Sequence, residues 1–389
     1  MTKKYLILLT VLMSITTSCW SRHELDTLAI VKAVGIDKVE EDGKLNLTFQ
    51  IVKPSQMQGS SQSSSTDSSS KGVWVLTSTG YTVFDAVRNA TMQSDRRIFL
   101  SQNKIIVIGE ELARQGISPI LDFFNRDGEP RRLSWLLVSR GKASDIINAQ
   151  HEQEMIPAQA IDGLIESSHL TSMGVKVNLN DFFKNLSNPT SDPVACRIEL
   201  IEGKDSKSQM RCTGASVFKE DRLVGFLDEK ETRGLNWILG NVKGGIIVVK
   251  SPIEENKNIA FEIIRANSKI IPEIQGGQIT ITVEINEEGN LGEQMSNVEL
   301  TKPGMLTELE KRKAEVISKE IQGVLKRAQR EWGVDIFGFG KAVHSKYPME
   351  WKELKSKWQQ DVLPEINVRV KVNAQIRSEE LSSAPTTAR

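Results

Sequence analysis

Apolar and polar positions along the chain alternate in two different periods, which predicts a mixture of strands and helices. Residues 28–36 and 45–52 read as strands about a turn at Glu41-Asp42-Gly43, and Leu45, Leu47, Phe49 and Ile51 share one face of the second. Strand 73–77 leads into a helix over 82–92, with Val83, Phe84, Val87 and Ala90 on one side. A short apolar strand at 104–108 follows, then helices over 110–115 and 118–125, a strand at 133–139 and a helix over 143–149. Beyond 155 the spacing predicts short helices, 157–168 and 180–186, in Asn-, Ser- and Pro-rich surroundings. Strands at 197–201 and 212–219, a helix over 230–240 and the run Ile246-Ile247-Val248-Val249 come next.

From 256 onward the strands 259–265 and 278–285 form an expected antiparallel pair, with Ile279, Ile281, Val283 and Ile285 alternating. The longest helix spans 305–332. Leu306, Leu309, Val316, Ile317, Ile321, Val324, Leu325, Ala328 and Trp332 make an apolar stripe along it, opposed by Lys, Arg and Glu. Such a stripe reads as packing on a sheet or, alternatively, as a groove for a partner helix. The elements follow no regular βα repeat, so the expected class is α+β. Three mixed domains are expected, with antiparallel or mixed sheets and flanking helices, the last carrying the long helix. Composition shifts place the boundaries at 19–155, 156–255 and 256–389, with a loose polar tail from Ser378. Residues 55–71 hold nine serines and almost nothing apolar, which reads as a surface loop of the first domain.

The first 18 residues stand apart. Lys3 and Lys4 precede an apolar run from Tyr5 to Ile15, then Thr16-Thr17-Ser18-Cys19. A positive start, an apolar centre and small residues before a cut describe a secretory signal. The run is too short for a bilayer core of about 30 Å, which takes about 20 residues. Cys19 directly after the small residues makes residues 1–18 resemble a lipoprotein signal peptide, in which the cysteine receives a diacylglyceryl group and becomes the first mature residue. At about 0.8 kcal/mol per buried methylene, two acyl chains hold a protein firmly to a membrane.

Composition narrows the classes. The chain of 389 residues has 50 basic and 50 acidic side chains, which leaves no basic surplus for non-specific nucleic-acid binding. Losing Lys3 and Lys4 with the signal leaves 48 against 50, or −2. A body so close to neutral has little overall pull toward an anionic membrane, so attachment falls to the lipid and to partner contacts. Three cysteines make no disulfide framework. Cys196 and Cys212 can pair or can serve as two small buried apolar residues.

No catalytic motif emerges. The histidines stand at 23, 151, 169 and 344, and His151-Glu152-Gln153-Glu154 lacks a second histidine at helical spacing. Gly338-Phe339-Gly340-Lys341 imitates part of a phosphate loop without its earlier glycine or its Ser/Thr after lysine. No Gly-x-Ser-x-Gly elbow is present. Catalytic, metal-binding and cofactor-binding residues are therefore expected to be absent, the covalent lipid on Cys19 aside.

Several blocks together resemble the Ger(x)C family, the lipoprotein C subunits of spore germinant receptors. They are Cys19 to Leu25 with Gly35-Ile36-Asp37, Asn103 to Ala113, Leu121 to Asp127, Leu227 to Gly234, Lys243 to Ile246, Asp335 to Gly340, and Lys346-Tyr347-Pro348 before Trp351-Lys352. They follow family order over nearly the whole mature chain. The resemblance implies a mixed α/β body of three domains, tethered to the outer face of the spore inner membrane. It implies two membrane-embedded partners, the A and B receptor subunits, and no catalytic residues. The glycine-rich and aromatic blocks Glu231–Gly234, Lys243–Gly245 and Asp335–Gly340 read either as tight turns and helix ends or as contact surfaces. An alternative function is a surface-tethered lipoprotein that binds a small molecule or acts on an envelope polymer.

Overall fold

The computed structural model describes residues 25–39, 42–53, 72–203, 208–297, 300 and 303–377. Cys19, His23, the serine-rich tract and the tail from Ser378 lie outside the described residues. Two sheets organise the chain. The first contains β1 (Leu28–Lys38), β2 (Leu45–Val52), β3 (Val73–Gly80), β4 (Arg97–Phe99), β5 (Ile105–Gly109), β6 (Trp135–Ser139), β7 (Val194–Glu202), β8 (Ser208–Lys219) and β9 (Arg222–Leu227). Its order is β3-β2-β1-β5-β6-β7-β8-β9, with β4 beside the start of β1. The centre, β1-β5-β6-β7, is parallel, whereas β2-β3 and β8-β9 are antiparallel additions on either side. The second sheet is β10 (Ile246–Lys250), β11 (Asn258–Gln275), β12 (Gln278–Gln294) and β13 (Asn367–Ile376), in that order, with β13 parallel to β12.

The helices are α1 (Val83–Ala90), α2 (Glu110–Gln115), α3 (Ser118–Arg126), α4 (Ala143–Asn148), α5 (Pro157–Ser167), α6 (Leu179–Leu186), α7 (Glu229–Leu239), α8 (Pro303–Val324), α9 (Phe339–Lys346) and α10 (Pro348–Leu354). The α+β class holds, with mixed sheets and one long C-terminal helix. All five residues of β5 are buried, because a parallel strand at the centre is covered on both faces. In α1 the buried residues are Val83, Ala86 and Ala90, at i, i+3 and i+7, so Phe84 turns away and is 48% exposed. Helix α8 continues from Val324 into a π-helical stretch, Leu325–Trp332, and the two together cover the predicted 305–332. Trp332 ends this helix over β9, where a Cβ on Gly225 would lie 2.5 Å from its ring.

Neither expected domain boundary coincides with a gap between the sheets. β7, β8 and β9 extend the sheet begun by β1, so position 155 falls inside one sheet. β10 pairs with β11 from Ile246↔Glu262 to Lys250↔Asn258, so position 255 falls inside the other. Composition shifts mark loops, whereas strand partners are chosen across the chain, as in Thr280↔Asn367 and Ala33↔Ile105.

Candidate functional site: two buried polar latches

Helix α7 starts at a reciprocal cap. Asp228 accepts from the Glu231 amide (2.7 Å) and Glu231 accepts from the Asp228 amide (2.9 Å). Gly240 ends it in the left-handed conformation at φ 70. Every residue from Thr232 to Ile238 is buried, since α7 lies between the first sheet and α8. Arg233 donates from Nε to Glu320 Oε2 on α8 (2.9 Å) and from Nη2 to Glu320 Oε1. Trp237 Nε1 donates to Glu320 Oε2 (3.0 Å), and Arg233 Nη1 donates to the Ile246 carbonyl on β10 (2.9 Å). The Arg233 and Glu320 side chains are only 5% and 6% exposed. The two helices meet at Gly234, where a Cβ would come within 2.3 Å of the Glu320 carbonyl oxygen.

The Lys243–Gly245 block joins the same place. Ser172, at φ 54, donates from Oγ to the Gly244 carbonyl (2.7 Å) and accepts from the Lys243 amide (3.1 Å). Asn236 Nδ2 donates to the carbonyls of Ser172 and Gly174 (2.9 and 3.0 Å). The first latch therefore ties one turn after α5, helix α7 and the first strand of the second sheet to α8.

The second latch is centred on Asp335, which is fully buried. Its Oδ1 accepts from the amides of Phe337, Gly338 and Phe339 (3.2, 2.9 and 3.1 Å). Its Oδ2 accepts from the Gly340 amide (2.7 Å) and from Trp358 Nε1 (3.0 Å). Asp192, just before β7, accepts at Oδ2 from the Asp335 amide (2.8 Å) and from Gln359 Nε2 (2.8 Å). Its own amide donates to the Asp335 carbonyl (2.8 Å). Burial pushes the Asp335 carboxyl up to about 6 against the pull of its N–H donors, and burial raises Asp192 as well. The phosphate-loop imitation at 338–341 is explained here, because its amides already cradle an internal carboxylate. Both oxygens of Asp335 are committed, so the geometry joins the two halves of the chain and offers no free acid or base.

A third buried pair lies in the second sheet. Lys313 of α8 and Glu287 of β12 stand 3.0 Å apart, both at 0% exposure, and Lys313 Nζ also donates to the Gln375 carbonyl (2.9 Å). Burial pushes the Glu287 carboxyl up and the Lys313 ammonium down, while their mutual attraction opposes both shifts.

The other sequence candidates do not converge. His169 Nδ1 contacts the Glu166 carbonyl, His344 stacks on Trp351, and His151 Nδ1 accepts from the Gln153 amide. Among the described residues no group of three His, Cys, Asp or Glu side chains could hold a metal, and no helix is long and apolar enough to cross a membrane. Cys196 and Cys212 are buried free thiols on β7 and β8, with their sulfurs 3.3 Å apart. Sequence reading missed Asp192, Glu287, Lys313 and Glu320. A signal existed for two of them: Lys313 and Glu320 fall in register with Leu309, Ile317 and Val324, inside the apolar stripe of α8.

The fold and the latches define a two-sheet α+β protein whose motif residues serve its internal joints. Residues 21–200 match the family model described as spore germination protein N-terminal domain, and residues 213–380 match that described as spore germination B3/GerAC like, C-terminal. The chain belongs to the Ger(x)C family. It is 27% identical to spore germination protein KC of Bacillus subtilis (strain 168), over 99% of this chain and 98% of that one. It is 26% identical to spore germination protein B3 of the same organism, over 87% and 88%. The crystal structure of the GerBC protein superposes with a TM-score of 0.59 at 22% identity, over 89% of this chain and 97% of that one, so the fold is shared.

Proposed function

We propose that the chain is a non-enzymatic subunit of a nutrient germinant receptor, anchored by a diacylglyceryl group on Cys19 to the outer face of the spore inner membrane. There it works beside the membrane-embedded A and B subunits. The observation that carries this reading is the pair of spore-germination family models, which together run from residue 21 to residue 380. The latches agree with it, since residues of the blocks at 227–234, 243–246 and 335–340 are spent on internal contacts. The test pairs gene deletion with co-purification. Deletion is expected to abolish the response to one nutrient set while leaving receptor-independent germination intact, and normal nutrient germination refutes the role. The A and B subunits are expected to co-purify with the wild-type chain from spore membranes. A Cys19→Ala chain that stays equally membrane-bound refutes lipid anchoring.

A further inference from the structure

The end of the first sheet at which β1 begins gathers exposed apolar side chains and cations without carboxylate partners. β1, β5 and β6 run parallel, so Leu28, Lys104 and Trp135 mark one end, where β2 finishes and β3 starts. Two loop tips project from it, 91–97 and 129–134, joined by the Arg97–Glu129 ion pair (2.8 Å). Met92 on the first tip is 77% exposed and Leu133 on the second is 72% exposed. Arg131 and Arg132 precede Leu133 and are exposed, while Arg96 lies with Lys53, Leu28 and Trp74 around a cleft at the start of β1. Lys32 is close enough to Lys104 and Arg131 that, after burial, their repulsion is what lowers its ammonium pKa.

Most acids at this end are engaged. Glu129 holds Arg97 and the Leu100 amide, Asp162 holds Lys104 and the Trp135 indole, and Asp127 accepts from the Glu129 amide. Asp95 lines the cleft beside Arg96, and Glu152 and Glu154 line a neighbouring cleft with Lys53. Lys53, Arg96, Arg131 and Arg132 have no ion pair among the described residues, and Arg132 reaches only the Asn125 carbonyl. An exposed Leu behind two arginines, beside an exposed Met, is the composition of a loop that enters a lipid interface: guanidinium at the phosphates, apolar side chain below.

We infer that this end of the first sheet is a membrane-contact face, seated on an anionic phospholipid surface through Arg131, Arg132, Leu133 and Met92. The inference rests on the lipid anchor proposed above. Five residues lie between Cys19 and Leu25, six steps of chain with a reach of at most ~22 Å, and the turn Leu25–Thr27 runs directly into β1. An anchored chain therefore holds this end within that distance of the bilayer. The net charge of −2 does not oppose the contact, because fields beyond a Debye length of about 8 Å are screened and only the local charges act.

The test uses the mature chain carrying Cys19→Ala, mixed with sedimenting vesicles of phosphatidylcholine alone or with phosphatidylglycerol. Binding is expected only to the anionic vesicles and is expected to weaken with salt. Arg131→Glu/Arg132→Glu is expected to lose at least tenfold, at roughly fivefold for each cation removed from the surface. Leu133→Ser is expected to weaken binding at any salt concentration. Lys142→Glu/Lys269→Glu changes the net charge equally at remote exposed positions and is expected to bind as the parent does. Equal binding by the two charge variants, or equal binding to neutral vesicles, overturns the contact face. Failure of the anchor is read separately, as Cys19→Ala remaining in spore membranes, and leaves the vesicle result standing on its own.

Discussion

Removing the Glu320 carboxylate is the sharpest perturbation of the joint between the sheets. Glu320→Leu would leave the Arg233 guanidinium, 5% exposed, with one remaining acceptor, the Ile246 carbonyl, and would leave the Trp237 indole N–H unpaired. Breaking a buried ion pair from one side costs about 3–5 kcal/mol, because an uncompensated charge stays in low dielectric. With a urea m value of about 3 kcal/mol/M, that loss lowers the midpoint by roughly 1 M. Arg233→Met should cost a comparable amount. The double variant Arg233→Met/Glu320→Leu removes both charges and leaves only neutral groups unpaired, at about 1–3 kcal/mol each. It should therefore be more stable than the sum of the singles by at least ~2 kcal/mol. Urea unfolding of the mature chain followed by far-UV circular dichroism measures all three. Single variants within ~0.3 M of wild type, or a double variant that equals the sum of the singles, would refute the claim that this pair is desolvated and coupled.

Gly234→Ala places a Cβ about where only 2.3 Å separates it from the Glu320 carbonyl oxygen, so α7 and α8 must move apart. A stability loss of ~1–3 kcal/mol in the same unfolding assay is expected, whereas an unchanged midpoint means the helices are not in close contact. The Asp335 carboxyl, at about 6 in the fold against an ordinary 3.8, binds its proton more tightly when folded. Its contribution to stability is therefore full below about pH 4 and is lost as pH rises through 6, an interval worth about 3 kcal/mol at 1.36 kcal/mol per pH unit. The stability gap between wild type and Asp335→Asn should narrow between pH 4 and pH 7 in thermal melts. A gap that widens with pH would show that the five N–H donors outweigh burial and hold Asp335 as the anion.

Local periodicity made most elements readable. The alternation at 45–52, the helix over 230–240 and the stripe over 305–332 each reappear within a few residues as β2, α7 and α8 with its π-helical extension. Other elements were not read from local pattern. β9 completes the first sheet beside β8, and β13 joins β12 in parallel across the 72 residues between Gln294 and Asn367. Helix α9 begins with an Asp335 cap four residues upstream that no short window singles out. The blocks Glu231–Gly234 and Asp335–Gly340 read as tight turns and helix ends or as contact surfaces, but the carboxylates that pair with Arg233 and with the Asp335 amide come from Glu320 and Asp192, far along the chain.

The amino-acid sequence by itself determined the α+β class, the long amphipathic helix, the spore-germination resemblance and the total charge, because each depends on residue type and short-range spacing. Only the tertiary structure decided which strands share a sheet, which acids are buried beside which bases, and where the charges sit. Those depend on contacts between residues distant in the chain, whose pairing is set by the burial of whole faces at once. The near-neutral total is the plainest case: summed along the sequence it argues against a membrane surface, yet folding brings Arg96, Arg131 and Arg132 to the end of the sheet from which the chain leads back to Cys19.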